Sequence, residues 1–452
     1  MSRFTNRGNL TDHGETELRN KVLDILDWSL HKSDPGIATK DLVRLEDEVL
    51  SVGYLELDLE LFKKIIVIGA GKASYPIAKA LEDILGSRIS GGIVVSKDGH
   101  HGKLNYACSE MASHPIPDDR SFGHARTAME FAARTGPRDL VFACFTGGSS
   151  ALMSMPAPGI PFKDKILANK ILLSCGANIV EVNAVRKHLS GIKGGRLAQL
   201  IHPEAVLINL TVSDVIGDPL DCVTDLTVPD SSSFEDAKNT LTRYDLWEKM
   251  PASITGYLLE SNKERETPKT LDDRRIESFM LVNPDSACDG AAEKAMELGL
   301  EPFVLTTMLE GESREAGRIL GCIAKEILRS ERPVKPPCAL ICGGETTVTL
   351  DKFERGSGGP NQEFTIGAAL EISGCESVVV AGFDTDGTDG PTSYAGGIAD
   401  GHSVRRAVSL GIDMHRTLKE HTTSETLGRL NDLLITGNTG TNVNDVKILV
   451  IG

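Results

Sequence analysis

The sequence predicts an α/β protein: a parallel, doubly wound sheet in the first half and a second, smaller α/β unit after it. Three observations carry this. Apolar runs of strand length alternate with stretches of helical periodicity, the signature of parallel sheets. Polar glycine turns follow several of those runs, as they do along the crevice at the carboxyl ends of parallel strands. The 452 residues are 40% hydrophobic, enough to bury large cores and to divide into two or three domains.

Taken in order, Leu18, Val22, Ile25, Leu26 and Leu30 form a helical stripe between Thr11 and Ser33. The sheet begins at Lys63, where Lys-Lys-Ile-Ile-Val-Ile enters the turn Gly69-Ala70-Gly71-Lys72. A helix follows, with Ile77, Ala80, Leu81 and Ile84 on one face. Further strands are expected over 92–96, 139–145 and 205–212, separated by helices over 123–134, 162–175 and 181–201. From Ser231 to Arg275 the pattern weakens and turns polar, which puts the domain junction there, between domains 1–250 and 270–452. The second unit should hold strands over 278–282, 302–306, 337–342, 346–350, 377–381, 432–435 and 447–451. Its helices are expected over 285–297, 313–329 and 361–371.

Charge narrows the partners. The 64 acidic and 48 basic side chains leave a formal charge of −16, which argues against nucleic acid or an anionic membrane. An anionic small molecule would need local cations, a helix N-terminus or a bound metal. No apolar run reaches the length of a membrane span and Met1 to Leu10 is polar, so a cytosolic protein is expected. The oligomeric state stays open, a homodimer included. Of nine scattered Cys residues only Cys338 and Cys342 lie close together, with no His nearby, which speaks against a zinc site.

The chemistry gathers in the turns. Asp384-Thr385-Asp386-Gly387-Thr388-Asp389 follows the apolar run 378–380 and packs three carboxylates into six residues, a natural partner for a hard divalent ion carrying polyphosphate. It is not an EF-hand, whose sixth and twelfth positions are here Asp389 and Ala395. Gly69-Ala70-Gly71-Lys72 sets backbone N–H groups and an ammonium at a helix start, where an anion is stabilised. It is neither a Walker A loop nor a complete dinucleotide fingerprint, because Ser74 replaces the third glycine. Thr146-Gly147-Gly148-Ser149-Ser150 repeats the strand–glycine–hydroxyl design without the Gly-x-Ser-x-Gly of a serine hydrolase. Ser213-Asp214-Val215-Ile216-Gly217-Asp218 offers two carboxylates to a substrate hydroxyl or a metal, and Arg186-Lys187-His188 supplies basic groups on a helix. Gly343-Gly344-Glu345, Gly358-Gly359-Pro360-Asn361 and Thr436-Gly437-Asn438-Thr439-Gly440-Thr441-Asn442 complete the set.

In that order along the chain, these pieces resemble the MOFRL-type glycerate kinases, also called class II glycerate 2-kinases. The resemblance rests on residues 69–74, 146–152, 185–190, 213–219, 342–348, 384–392 and 439–445. It implies ATP- and Mg2+-dependent phosphorylation of D-glycerate to 2-phosphoglycerate. The implied architecture is a Rossmann-like N-terminal domain and a C-terminal MOFRL domain, with the active site in the cleft between them. Carried over by position, Lys72, Asp214 and Asp218 become catalytic candidates. Gly69, Gly71, Ser149, Ser150, Arg186, Lys187, Asn361, Asn438 and Asn442 become substrate or nucleotide contacts, and Glu345, Asp384, Asp386 and Asp389 metal ligands. Two departures are Pro360, where the family often has Arg, and Asp225-Leu226-Thr227, where a Gly-Pro-Thr turn is usual. An NAD(P)H-dependent hydroxypyruvate reductase is the alternative, supported by the near-fingerprint at 69–74 and opposed by the surplus of carboxylates. A non-catalytic metabolite sensor would leave the aspartates of 384–389 unexplained.

Overall fold

A computed structural model describes residues 2–99, 102–215, 217, 219–350 and 356–452. It divides into two compact units, Pro35–Leu281 and a second built from Val282–Gly452 together with the chain up to Asp34. This differs from the 1–250 and 270–452 division read from sequence.

Pro35–Leu281 opens with a three-stranded antiparallel meander, β1 (Val43–Glu46), β2 (Val49–Val52) and β3 (Leu55–Asp58). A six-stranded sheet follows: β4 (Lys64–Ala70), β5 (Ile89–Lys97), β6 (Cys108–Ala112), β7 (Asp139–Phe145), β8 (Val206–Val212) and β9 (Arg275–Val282). Its order is β6-β5-β4-β7-β8-β9, and every pairing from β6 to β8 is parallel. Strands β7 and β8 are buried at every position, which explains their unbroken apolar runs. The order reverses on either side of β4, so the turns after β4 and β7 flank a switch point.

The polar segment 231–275 is not a linker. Its helices Phe234–Arg243 and Ala252–Leu259 bury Phe234, Leu241, Ile254 and Leu258 against helices Phe162–Leu173 and Ile179–His188. The helix expected over 181–201 is broken, because Ser190-Gly191-Ile192-Lys193-Gly194-Gly195 separates Ile179–His188 from Arg196–Leu200.

The second unit is a six-stranded sheet of β10 (Glu301–Leu309), β11 (Cys338–Gly344), β12 (Val378–Asp384), β13 (Gly396–Asp400), β14 (Leu433–Leu434) and β15 (Asp445–Ile451), ordered β10-β11-β15-β12-β13-β14. Only β10 and β11 pair in parallel; β15 runs antiparallel to both β11 and β12, so those two point the same way. The strand expected over 346–350 does not form, and Thr347 makes only an isolated bridge to Glu312. No helix among the described residues is long and apolar enough to cross a membrane.

One buried cation ties the N-terminal helix Thr16–Lys32 to this unit. Arg19, fully inaccessible, donates from Nε to Asp400 at 2.6 Å and from Nη1 to Asp432 at 2.7 Å. Removing one partner of such a network strands the others in a dry interior. Arg19→Met should therefore cost about 3–5 kcal/mol. Urea unfolding followed by the fluorescence of Trp28, on the same helix, with Trp247 replaced by Phe, checks this; an unmoved transition would contradict it.

Candidate active site

Three adjacent parallel strands, β4, β7 and β8, deliver their carboxyl ends to one place in Pro35–Leu281. After β4, the backbone N–H of Lys72 donates to the Gly147 carbonyl at 2.9 Å. The N–H of Ala73 donates to Thr146 Oγ1 at 3.1 Å, anchoring the start of helix Ser74–Leu85. After β8, the Asp214 carboxylate presses on the turn that follows β7. A Cβ built on Gly147 would lie 2.0 Å from Asp214 Oδ2, so any side chain there would have to displace that carboxylate. The next residue, Gly148, has φ of 90°, a left-handed conformation suited to glycine, and it brings the His114 ring beside the Lys72 side chain.

These turns roof a cavity of about 310 Å³. Ser149, Ser150, Asp214, Arg186, Asn169 and Asn183 line it. Arg186 comes from helix Ile179–His188; its Nε is buried with no hydrogen-bond partner, and burial lowers its pKa against the opposing pull of Asp225. Two lysines lie buried close by. Lys165 Nζ donates to the Met155 carbonyl at 2.6 Å, and burial drives its pKa well down, with Lys193 adding to the effect. Lys193 is ion-paired with Asp225, which is itself buried. Three basic groups thus lie around one carboxylate, Asp225, and of them Arg186 faces the cavity and can meet an anion.

Several expected contacts take other roles. Gly69 lies inside β4 and packs on Cys144 of β7, while Gly71 makes the turn against Thr146. Lys187 projects away from the cavity and is held by Asp221 at 2.9 Å and Asp230 at 3.0 Å, because consecutive helical residues face different directions. Asp218 lies outside the described residues. Thr146, Asn169, Asn183, Lys193 and Asp225 were not singled out as site residues from sequence.

In the second unit the polar loops also collect at strand ends. Gly344 of β11 and Asp384 of β12 both pair with Asp445 of β15, so Glu345 and Asp384 emerge on either side of that residue. Asp384 Oδ1 accepts the N–H of Asp386, and Asp386 Oδ1 accepts both the N–H and the hydroxyl of Thr388. The loop 436–444 folds onto this turn through Thr439 and Val443, which bond to Thr385. Asn442 is buried there, whereas Asn438 is exposed and caps Gly440.

Asp389 departs from its expected metal role. Its two oxygens accept the backbone N–H groups of Asn361 and Gln362 at 2.9 and 3.0 Å, capping helix Pro360–Glu371. Burial raises its pKa to about 7, against the backbone bonds that favour the charge. Asn361 bridges Asp389 and Asp445 through Nδ2, and Asp445 also accepts from the inaccessible Lys447 at 2.7 Å. Among the described residues no three His, Cys, Asp or Glu side chains form a group that could hold a metal ion. The four expected ligands therefore do not converge as a protein cage.

The fold and this site define a two-unit α/β protein with a polar cavity, bearing Arg186 and Asp214, at the carboxyl ends of a parallel sheet. Residues 21–259 match the family described as Domain of unknown function (DUF4147), and residues 338–445 match the MOFRL family. The chain is 40% identical to a glycerate 2-kinase of Pyrococcus horikoshii, covering 96% of this chain and 98% of that one. It is 39% identical to a D-glycerate 2-kinase of Thermotoga maritima over 96% and 98% of the two chains. A protein of Agrobacterium vitis with a provisional hydroxypyruvate reductase name is 39% identical, over 86% of this chain and 99% of that protein. The crystal structure of the Thermotoga maritima glycerate kinase superposes with a TM-score of 0.84 at 36% identity, covering 96% of this chain and all of that one. The chain belongs to the MOFRL-type, class II glycerate 2-kinase family.

Two outcomes follow from this geometry. Gly147→Ala would push Asp214 aside, and a displacement near 1 Å should lower kcat/KM about a hundredfold with folding retained by circular dichroism; unchanged turnover would contradict the close approach. For Asp389 the folded pKa lies above the ordinary aspartate range. The folded chain thus keeps a proton that the unfolded chain releases, and the contribution of this group is full in acid and falls as pH rises towards 7. Denaturation midpoints measured from pH 4 to 7 should fall more steeply in the wild type than in Asp389→Asn; parallel slopes would contradict the assignment.

Proposed function

We propose that the protein transfers the γ-phosphoryl group of ATP to the 2-hydroxyl of D-glycerate, giving 2-phosphoglycerate. The observation that carries this is the convergence of Asp214, Ser149 and Arg186 on one cavity, with Lys72 packed beside the Gly147-Gly148 turn that borders it. Relatives named glycerate 2-kinase over nearly the whole chain support it.

Each residue has a part. Arg186 receives the glycerate carboxylate, since a guanidinium fork matches a carboxylate in two hydrogen bonds. Asp214, held against Gly147, orients the 2-hydroxyl and takes its proton. Lys72, with the turn N–H groups, offsets charge on the moving phosphoryl group, the main task in phosphoryl transfer. Ser149 and Ser150 donate hydroxyls to the acceptor.

Magnesium is part of the proposal. It usually needs one or two carboxylates beside water and phosphate oxygens. Asp384 and Asp386 suit that demand; Asp389, spent on a helix N-terminus, does not. Bound there, the ion would neutralise charge on the ATP phosphates. Asn438 and Asn442, on the loop that packs against Thr385, are the proposed nucleotide contacts.

A coupled assay of ADP release with ATP, Mg2+ and D-glycerate, run beside NADH with hydroxypyruvate, tests the reaction. ADP release that Lys72→Ala lowers by about a hundredfold or more is expected. NADH oxidation without ADP release would favour the reductase instead.

A further inference from the structure

The cavity beside Asp214, about 310 Å³ in volume, lies within the size range of small-molecule sites. Its two walls also differ. The strand-end wall, with Thr146, Gly147 and Asp214, holds the proposed chemistry. The opposite wall is helical, with Asn169 from Phe162–Leu173 and Asn183 from Ile179–His188.

That helical wall is polar and only lightly paired. No hydrogen bond among the described residues takes up the side chains of Asn169 or Ser150. Asn183 is buried and engages the Cys222 thiol, which leaves most of its amide capacity to the cavity. Polar groups in a cleft of this kind fix the orientation of a ligand that can hydrogen-bond them. A three-carbon acid bound at its carboxylate and reacting at C2 has one further hydroxyl to offer.

We propose that the same cavity also accepts four-carbon aldonates, the 2,3,4-trihydroxybutanoates, with Asn169, beside Asn183, receiving the one additional hydroxyl; this rests on the acceptor site proposed above. The transfer is the same. The C2 oxygen bonds to the γ-phosphorus and the bond from that phosphorus to the β–γ bridging oxygen breaks. The hydroxyl proton passes to Asp214, and ADP leaves with the bridging electron pair.

The test measures ADP release by the full-length protein with D-glycerate and with each trihydroxybutanoate stereoisomer, in wild type, Asn169→Leu and Asn169→Ser. At least one four-carbon acid should be phosphorylated. Both variants should lower its kcat/KM about tenfold or more, mainly through KM, with glycerate turnover held within about threefold. Turnover of glycerate with no four-carbon isomer above background would overturn the extension alone. Equal losses on both acids in the variants would overturn the role of Asn169. ADP release with neither acid would overturn the acceptor site itself and this inference with it.

Discussion

The site depends on a steric constraint: three strand ends meet with no side chain allowed between two of them. Gly147 stands between the main chain of Lys72 and the carboxylate of Asp214, and a single methyl there would overlap Asp214 Oδ2. Parallel β4, β7 and β8 supply the approach, because neighbouring strands of a parallel sheet end side by side. What the glycine turns contribute is proximity. They let two serines and an aspartate from two segments share one wall, with Lys72 packed behind the turn.

Electrostatics sets the second condition. A chain of formal charge −16 must attract an anionic acid locally, against its average field. It does so with Arg186, which faces the cavity, while Lys165 and Lys193 lie buried with it around one carboxylate, Asp225. Asp225 forms the ion pair that keeps Lys193 in place. The second unit answers with the opposite arrangement, acidic turns packed at strand ends. There Asp389 illustrates how a carboxylate in a motif can serve the backbone: its partners are helix N–H groups 28 and 27 residues upstream.

The local features were legible in the sequence. Strand, glycine turn and helix are consecutive at 64–85 and at 139–152, so periodicity and turn chemistry locate them without tertiary knowledge. The non-local features were not. Nothing near Arg19 announces Asp400 and Asp432, about four hundred residues away, so the sequence alone does not join the N-terminal helix to the second sheet. Arg186 and Lys187 look alike until the helix phase shows that one faces the cavity and the other a pair of aspartates. The polar segment 231–275 reads as a junction because its apolar residues are few, yet those few are the ones that pack.

The most direct test of the acceptor site is a crystal structure of the protein with D-glycerate and no nucleotide. The account predicts glycerate in the cavity of Pro35–Leu281, its carboxylate on Arg186 and its 2-hydroxyl at Asp214. Glycerate bound only within Val282–Gly452, or an empty cavity at saturating glycerate, would contradict it.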